Sequence, residues 1–205
     1  MISTLPLHKK DYSLKLDTLK TEHLVLTVSA NGFELAGFSK SPYYITKISE
    51  LNFETAIKDF RDLNNYLIQF INDHNLTLHT YKSVFINWMG QHFTLLPNSF
   101  YDSEKARDLL EFNIGKTPDE SIVTNDVEDI KLVYSIPTEI KNTLDKLFPS
   151  HNLKHIGYST VKLFFNHFQL KNADLFLNIH NGQTEIIIKK DKKPLLYNVY
   201  NTFYH

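Results

Sequence analysis

The chain has 205 residues, 42% hydrophobic and 22% charged, which is typical of a folded globular protein and excludes a disordered or fibrous one. Its 22 basic and 23 acidic residues leave a net charge of −1, so no electrostatic attraction to nucleic acid or to an anionic membrane is expected. Arg61 and Arg107 are the only arginines. This further disfavours a nucleic-acid-binding protein, because arginine is the side chain best suited to grip phosphates and guanine edges.

The N-terminal segment is not expected to be a secretory signal. Pro6, Lys9, Lys10, Asp11 and Lys15 interrupt it, so it lacks the apolar core of a signal peptide. No window approaches the ~18 uncharged apolar residues that a membrane helix needs. The chain has no cysteine, which excludes disulfides, thiolate metal sites and cysteine nucleophiles. We therefore expect a cytoplasmic protein without membrane insertion, and a flexible leader over residues 1–20.

The first clear structural signal is a β-hairpin. Residues 23–30 and 33–40 are two strand-like runs, and Asn31-Gly32 between them tolerates the positive φ of a type I′ turn. Residues 43–49 have the pattern of a third strand. The sequence therefore predicts a three-stranded antiparallel meander at 23–49.

The middle of the chain alternates between helical and strand-like patterns. Apolar residues three or four apart predict a helix from Glu54 to Asn75. Asp102 or Ser103 is a candidate N-cap for a further helix, and residues 115–129 are predicted as a loop with a short strand near Ile122. Strands are predicted over 81–88, 93–96 and 130–136, and further helices over 104–113, 138–148 and from Ser159 or Thr160 to 170.

The C-terminal part repeats the opening pattern. Residues 174–180 and 183–189 are strand-like runs separated by Asn181-Gly182, and residues 194–200 form a third run. A meander pattern that occurs twice indicates two related subdomains, the second of which stops just after its third strand.

Five segments carry motifs that belong to a scaffold rather than to a catalytic site. They are 23–33 (His-Leu-Val-Leu-Thr-Val-Ser-Ala-Asn-Gly-Phe), 95–110, 133–140 (Val-Tyr-Ser-Ile-Pro-Thr-Glu-Ile), 173–188 and 194–203. Through these segments, which run over nearly the whole chain, the sequence resembles a bacterial family of unknown function, DUF 3822.

The resemblance implies an α/β fold of the actin-like ATPase type, similar to that of pilus-assembly and secretion proteins. Such a fold has two RNase H-like subdomains, each opening with a three-stranded meander. On this basis residues 21–171 form a complete first RNase H-like subdomain and residues 172–205 begin a partial second one. Family members continue beyond the end of this chain. Either the chain is truncated, or residues 174–205 pack on the first subdomain or on a partner.

The resemblance also indicates where a nucleotide would bind. In actin-like ATPases each first strand ends in an Asp followed by a Gly, and both hairpin turns approach the phosphates. Here Ser29 and Asn178 take the Asp positions and His180 takes the second Gly position, so the charge that holds Mg²⁺ is missing and both phosphate loops are degenerate. If a nucleotide binds, the contacts expected are Asn31, Gly32, Asn178, Asn181, Gly182 and Thr184. Ordinary hairpin chemistry is the favoured explanation of both Asn-Gly pairs.

Other catalytic constellations have little support. His151 and His155 are four residues apart but lie in an extended segment without an adjacent glutamate, so we interpret them as surface or partly buried histidines rather than metal ligands. An RNase H-type nuclease is disfavoured, because Glu34, Asp174 and Glu185 do not cluster on first strands. No Gly-x-Ser-x-Gly elbow supports a serine hydrolase.

The sequence therefore favours a non-catalytic scaffold or protein-interaction module, a pseudo-ATPase without a cofactor. The alternative is an ATP-binding switch of actin-like fold that uses ATP and Mg²⁺ without efficient hydrolysis. A protein partner of unknown identity is expected and nucleic acid is not. The aromatic residues near the C terminus fill a core or form an interface, which leaves open a homo-oligomer through the C-terminal meander.

Overall fold

The computed structural model describes residues 7–12, 20–40, 43–166, 174–180, 183–190 and 193–201. Over these ranges the strands are β1 (Leu7–Tyr12), β2 (His23–Ser29), β3 (Gly32–Lys40), β4 (Tyr43–Phe53), β5 (Ser83–Met89), β6 (Phe93–Pro97), β7 (Glu120–Val127), β8 (Ile130–Pro137), β9 (His151–His155), β10 (Leu175–His180), β11 (Gln183–Lys190) and β12 (Lys193–Asn201). The helices are α1 (Phe60–Asp73), α2 (Ala106–Ile114), α3 (Thr138–Leu147) and α4 (Ile156–Asn166), with short 3-10 turns at Leu76–Leu78 and Asn98–Phe100.

The chain divides into two compact units, each built from two stretches of sequence. The first takes Met1–Met89 and Pro137–Lys154, and the second takes Gly90–Ile136 and His155–His205. The subdomain boundary that the sequence predicts between 171 and 172 falls outside the described residues and stays a prediction. None of the helices in the described ranges is long and apolar enough to cross a membrane.

The first unit is built on a six-stranded sheet with the strand order β1-β4-β3-β2-β5-β9. The strands β2, β3 and β4 form the predicted antiparallel meander, and β5 runs parallel to β2. Leu26 and Val28 of β2 are fully buried, and the parallel register places Ile86 and Trp88 of β5 beside them. The meander and β5 therefore contribute to one continuous apolar core.

Helix α1 packs on this core but begins later than the sequence predicts. The ring of Phe70 in α1 lies 5.5 Å from that of Phe33 in β3. The sequence predicts a helix from Glu54, which is wrong for residues 54–59. The amide of Ile57 instead donates to the carbonyl of Ala30 at 2.8 Å, which ties this stretch to the first hairpin. Asp59 then caps the helix through its side chain.

Strand β1 lies within the segment for which the sequence predicts a leader and no strand. It pairs antiparallel with β4 at the edge of the sheet. Its charged residues Lys9, Lys10 and Asp11 are exposed, as is usual for an edge strand. Because these three consecutive residues are charged, the segment lacks the alternation of apolar and polar residues by which a strand is recognised in a sequence.

A three-stranded sheet of the second unit has the order β6-β8-β7. Ala106 and Leu110 of α2 form a buried cluster with Val133 of β8. Strand β7 extends over all of 120–127, so the prediction of a loop with only a short strand near Ile122 is wrong. The strand is hard to recognise because its buried residues include the polar Glu120 and Asn125, which are held by hydrogen bonds rather than by apolar packing.

The other sheet of the second unit is the predicted C-terminal meander, in the order β10-β11-β12. Phe164 of α4 packs on it, with its ring 5.6 Å from that of Phe176 in β10. The sequence predicts that α4 begins at Ser159 or Thr160, but it begins at Ile156. The ring nitrogen Nδ1 of His155 accepts a hydrogen bond from the backbone amide of Gly157 at 3.0 Å. It thereby provides an acceptor for an amide in the first turn of the helix, which has no partner within the helix.

The opposite side of this meander is apolar and exposed, and we call it the open face. Leu177 and Ile179 of β10 are 52% and 60% exposed there. By strand alternation and register, the open face consists of Leu175, Leu177, Ile179, Thr184, Ile186, Ile188, Leu196, Asn198 and Tyr200.

Candidate functional site

The first hairpin has its turn one residue earlier than the sequence predicts. Ser29 pairs with Gly32, so the turn residues are Ala30 and Asn31, and the prediction of a type I′ turn at Asn31-Gly32 is wrong. The hydroxyl of Ser29 accepts the Asn31 amide at 3.1 Å and donates to the Gly32 carbonyl at 3.0 Å. These two hydrogen bonds close the turn at its earlier position.

Gly32 is required by its surroundings rather than by a turn. Its φ is +154°, and a Cβ atom at this position would collide with the carbonyl oxygen of Leu51. The carbonyl of Asn31 accepts the Phe53 amide at 2.8 Å. The end of β4 therefore lies against the turn of the first hairpin, where Ser29 is almost fully buried.

The second hairpin places Asn178 directly opposite Glu185. The two residues are cross-strand partners in β10 and β11, and the Asn178 amide donates to the Glu185 carboxylate at 2.6 Å. The sequence resemblance predicts that Asn178 takes the position of an Mg²⁺-binding Asp. Here its side chain is held by a carboxylate of its own sheet.

Glu185 is fully buried and has two further donors from other elements. The Tyr197 hydroxyl of β12 donates to it at 2.6 Å, and the Thr160 hydroxyl of α4 donates at 3.1 Å. Burial and the adjacent Glu185 charge raise the pKa of Tyr197 well above its usual value. Gly157 permits this arrangement, because a Cβ atom there would collide with the Tyr197 ring. We call Thr160, Asn178, Glu185 and Tyr197 the Glu185 cluster.

The remaining candidate nucleotide contacts fall in both units and partly outside the described residues. Thr184 is adjacent to Glu185 in β11, so its side chain belongs to the open face while Asn178 belongs to the covered face. Asn181 and Gly182 lie outside the described residues. Asn31 and Gly32 belong to the first unit. Within the second unit, the structure therefore does not bring Asn178 and Thr184 together on one face.

Glu185, Thr160 and Tyr197 are site residues that sequence reasoning missed. One signal was available for Glu185. A two-residue turn at Asn181-Gly182 pairs position 178 with position 185, which places a carboxylate beside Asn178. Nothing comparable indicates Thr160 or Tyr197, because their contacts depend on how α4 and β12 pack.

His155 is fully buried, so its interpretation as a surface or partly buried histidine is wrong. Its Nε2–H donates to the Gly90 carbonyl at 2.8 Å, and its Nδ1 accepts the Gly157 amide. Its ring contacts those of Phe93 and Tyr134 at 4.8 and 5.2 Å between centroids. Burial lowers the pKa of His155 to about 4, so the ring is neutral at pH 7. In the described part of the chain, no group of three His, Cys, Asp or Glu side chains is arranged to hold a metal ion.

Asp11, Ser49 and His74 in the first unit resemble a catalytic triad only in composition. Ser49 is fully buried and donates its hydroxyl proton to the Asp11 carboxylate. The His74 Nε2, 2.9 Å from the Ser49 hydroxyl, must therefore act as a donor rather than as a base. Burial and the charge of Lys47 lower the pKa of His74. The arrangement fastens β1 to β4 and does not activate a nucleophile.

Comparison with solved structures defines the class of fold. A protein from Bacteroides thetaiotaomicron VPI-5482, with an actin-like ATPase fold and unknown function, has a TM-score of 0.78 and 17% identity over 93% of this chain and 74% of its own. A chain of the PilM-PilN type IV pilus biogenesis complex has a TM-score of 0.51 and 14% identity, over 88% of this chain and 61% of its own. The cytoplasmic domain of EpsL, from the type II secretion system of Vibrio cholerae, has a TM-score of 0.46 and 11% identity, over 88% and 70%.

The chain therefore has the actin-like ATPase fold, which confirms the fold that the sequence resemblance implies. No curated protein matches it significantly. The family model of DUF3822, a protein of unknown function, matches residues 11–203. The chain belongs to this family, as its scaffold motifs predict.

The neutral state of His155 gives a testable pH dependence. A histidine with a lowered folded-state pKa contributes stability that is present above its unfolded pKa of ~6.5 and is lost as the pH falls toward 4. Between pH 7.5 and pH 5, the free energy of unfolding should fall by about 2 kcal/mol more in the wild type than in His155→Gln. Urea unfolding followed by circular dichroism measures this difference.

The matched control is His79→Gln, at an exposed position, which should keep the wild-type pH dependence. An unchanged pH dependence in His155→Gln would contradict the assignment of His155 as a buried neutral group.

Proposed function

We propose that this protein is a non-catalytic, actin-like scaffold or protein-interaction module, a pseudo-ATPase that works in the cytoplasm. The proposal rests on the two residues, Ser29 and Asn178, that stand at the expected positions of the catalytic aspartates. Ser29 closes its own hairpin turn, and Asn178 is hydrogen-bonded to the buried Glu185. Both side chains serve the fold, and neither carries the charge by which an aspartate binds Mg²⁺.

A protein partner is part of the proposal. The similar chain with a TM-score of 0.51 comes from a complex in which PilM is bound to PilN. The fold is therefore compatible with a role in protein assembly. Because that likeness rests on 14% identity, it supports the general mode of action and leaves the identity of the partner open.

We further propose that copies of this chain associate through the open face. The apolar face of a sheet is normally covered by another layer of structure. On the open face, however, more than half of the accessible surface of Leu177 and of Ile179 is exposed. The face spans three strands and about five residues along each, which gives an area on the order of a few hundred Å². Stable dimers bury about 800 Å² per partner, so the association should be weak and concentration-dependent.

Calorimetric titration with Mg-ATP tests the loss of ATPase chemistry. We expect no heat of binding and no phosphate release, because neither hairpin supplies an Asp to hold Mg²⁺. A hydrolysing actin-like ATPase in the same buffer is the positive control. Binding that is lost in Gly182→Val would contradict the proposal and support the alternative, an ATP-binding switch without efficient hydrolysis.

Light scattering after size-exclusion chromatography tests association through the open face. Leu177→Lys and Ile179→Lys place a charge in the apolar contact but remain solvated in the single chain. Both variants should shift the molar mass toward the monomer at concentrations where the wild type associates.

Phe112→Lys is the matched control, because Phe112 is 90% exposed on α2 and lies outside the open face. A wild type that stays monomeric at high concentration would refute association. If the wild type and the three variants had the same associated molar mass, the contact between copies would lie outside the open face.

A further inference from the structure

The second unit contains a groove of about 430 Å³ between two strands and the end of a helix. One wall is β6 and the other is the middle of β12, while Asn113 and Ile114 of α2 lie at one end. We call this feature the edge groove. None of its lining residues comes from strands β2, β3, β10 or β11, and its volume is in the range of known ligand sites.

The groove runs along the edges of its two strands. Successive side chains of a strand point to opposite faces, so a cavity lined by every residue of a stretch lies at the strand edge. All five residues of Phe93–Pro97 line the groove, and so do the four consecutive residues 195–198. Strand β6 is an outer strand of its sheet and β12 is an outer strand of its own. The groove is therefore bordered by two sheet edges.

The backbone of β6 is oriented for a further strand. The His92 carbonyl accepts the Ser135 amide at 3.0 Å, and the Asn98 amide donates to the Asp129 carbonyl at 3.0 Å. Hydrogen-bonded pairs alternate along an antiparallel ladder, so positions 94 and 96 bond to β8 and positions 93 and 95 point the other way. The amide and carbonyl groups at these two positions therefore face the side where another strand would pair.

The floor of the groove is apolar and fixed in place. The rings of Phe93 and Tyr197 lie 4.7 Å apart between centroids. Tyr197 is held by its hydrogen bond to Glu185, and Leu195 beside it is 66% exposed. An apolar side chain entering the groove would therefore contact Leu195 and the edges of two rings that are already fixed in place, with little ordering cost on the protein side.

The charge of the lining defines the class of ligand. No lining residue in the described ranges carries a charge. The polar ones are amides and a hydroxyl, such as Asn113, whose amide donates to the Thr94 hydroxyl at 3.2 Å. A charged ligand would lose hydration in this groove without gaining a counter-charge, whereas an uncharged peptide can pair with strand edges and side-chain amides.

We propose that the edge groove binds an extended, uncharged segment of a partner protein, which adds to β6 as a strand and places alternate apolar side chains toward Tyr197. Main-chain hydrogen bonds to β6 supply affinity, and the Phe93–Tyr197 floor selects apolar side chains. This inference rests on the interaction function proposed above and names the surface and the kind of segment that it recognises.

Fluorescence polarisation with synthetic peptides tests the edge groove. The probes are labelled, end-capped peptides in which Ser alternates with one apolar residue, with Leu, Ile, Val, Phe, Met and Tyr tested in turn. At least one probe should bind the full chain. Its affinity should fall about tenfold or more when alternate amides are N-methylated, because strand addition needs those donors.

Asn113→Asp supplies the protein side of the test, because it places a charge at the end of the groove. Its matched control is Asn65→Asp, at an exposed position of α1. We expect weaker peptide binding for Asn113→Asp and wild-type binding for both Asn65→Asp and Leu177→Lys. Circular dichroism establishes that each variant is folded.

Two results would overturn the inference: no probe binds, or binding is unaffected by both N-methylation and Asn113→Asp. Neither result bears on the loss of ATPase chemistry, which the Mg-ATP titration tests separately. Conversely, ATP binding would refute the pseudo-ATPase while leaving a positive peptide result in place.

Discussion

One buried carboxylate joins the C-terminal meander to helix α4. Glu185 lies in the central strand of the C-terminal meander, and its side chain is removed from solvent. An unpaired carboxylate in such a place would cost several kcal/mol, so its donors are obligatory. Asn178 from β10, Tyr197 from β12 and Thr160 from α4 supply them. A single side chain thus joins three strands to the helix that covers them, and any change in one donor affects all four elements.

This constraint bears on the proposed loss of ATPase chemistry. The resemblance to actin-like ATPases implies an aspartate at the position of Asn178, where it would serve the nucleotide. Here an aspartate would place a second carboxylate against Glu185, and two carboxylates in hydrogen-bonding distance cannot both be ionised without repulsion. In the first hairpin, Ser29 likewise closes the turn with its hydroxyl. Both side chains are therefore engaged in hydrogen bonds within the fold.

The fold was predictable from the sequence where local chemistry determines it. The Asn-Gly pair of the second hairpin gives the register that places Asn178 opposite Glu185, and alternation predicts both meanders. The strands β1 and β7 were not predictable, because charged or hydrogen-bonded polar residues replace their apolar alternation.

The first hairpin shows the limit of local rules. The first hairpin also contains an Asn-Gly dipeptide, which predicts a turn at Asn31-Gly32, but the turn forms one residue earlier, at Ala30-Asn31. Its position depends on the Ser29 hydroxyl and on the carbonyl of Leu51, which leaves no room for a side chain at position 32. Packing between segments distant in sequence also fixes His155, which bonds to the Gly90 carbonyl, and the Tyr197 ring, which lies against Gly157. Neither the edge groove nor the Glu185 cluster could therefore be assembled from sequence patterns alone.

The central claim is that Asn178 belongs to the buried Glu185 cluster rather than to a phosphate site. The most direct test is the free energy of unfolding of Asn178→Asp, measured by urea titration at pH 7 beside Asn65→Asp as the exposed control. We expect Asn178→Asp to be less stable than the wild type by about 2–4 kcal/mol, because the variant loses the amide donor and places a second carboxylate against Glu185. A variant as stable as Asn65→Asp, or one that gained Mg-ATP binding without losing stability, would contradict the claim.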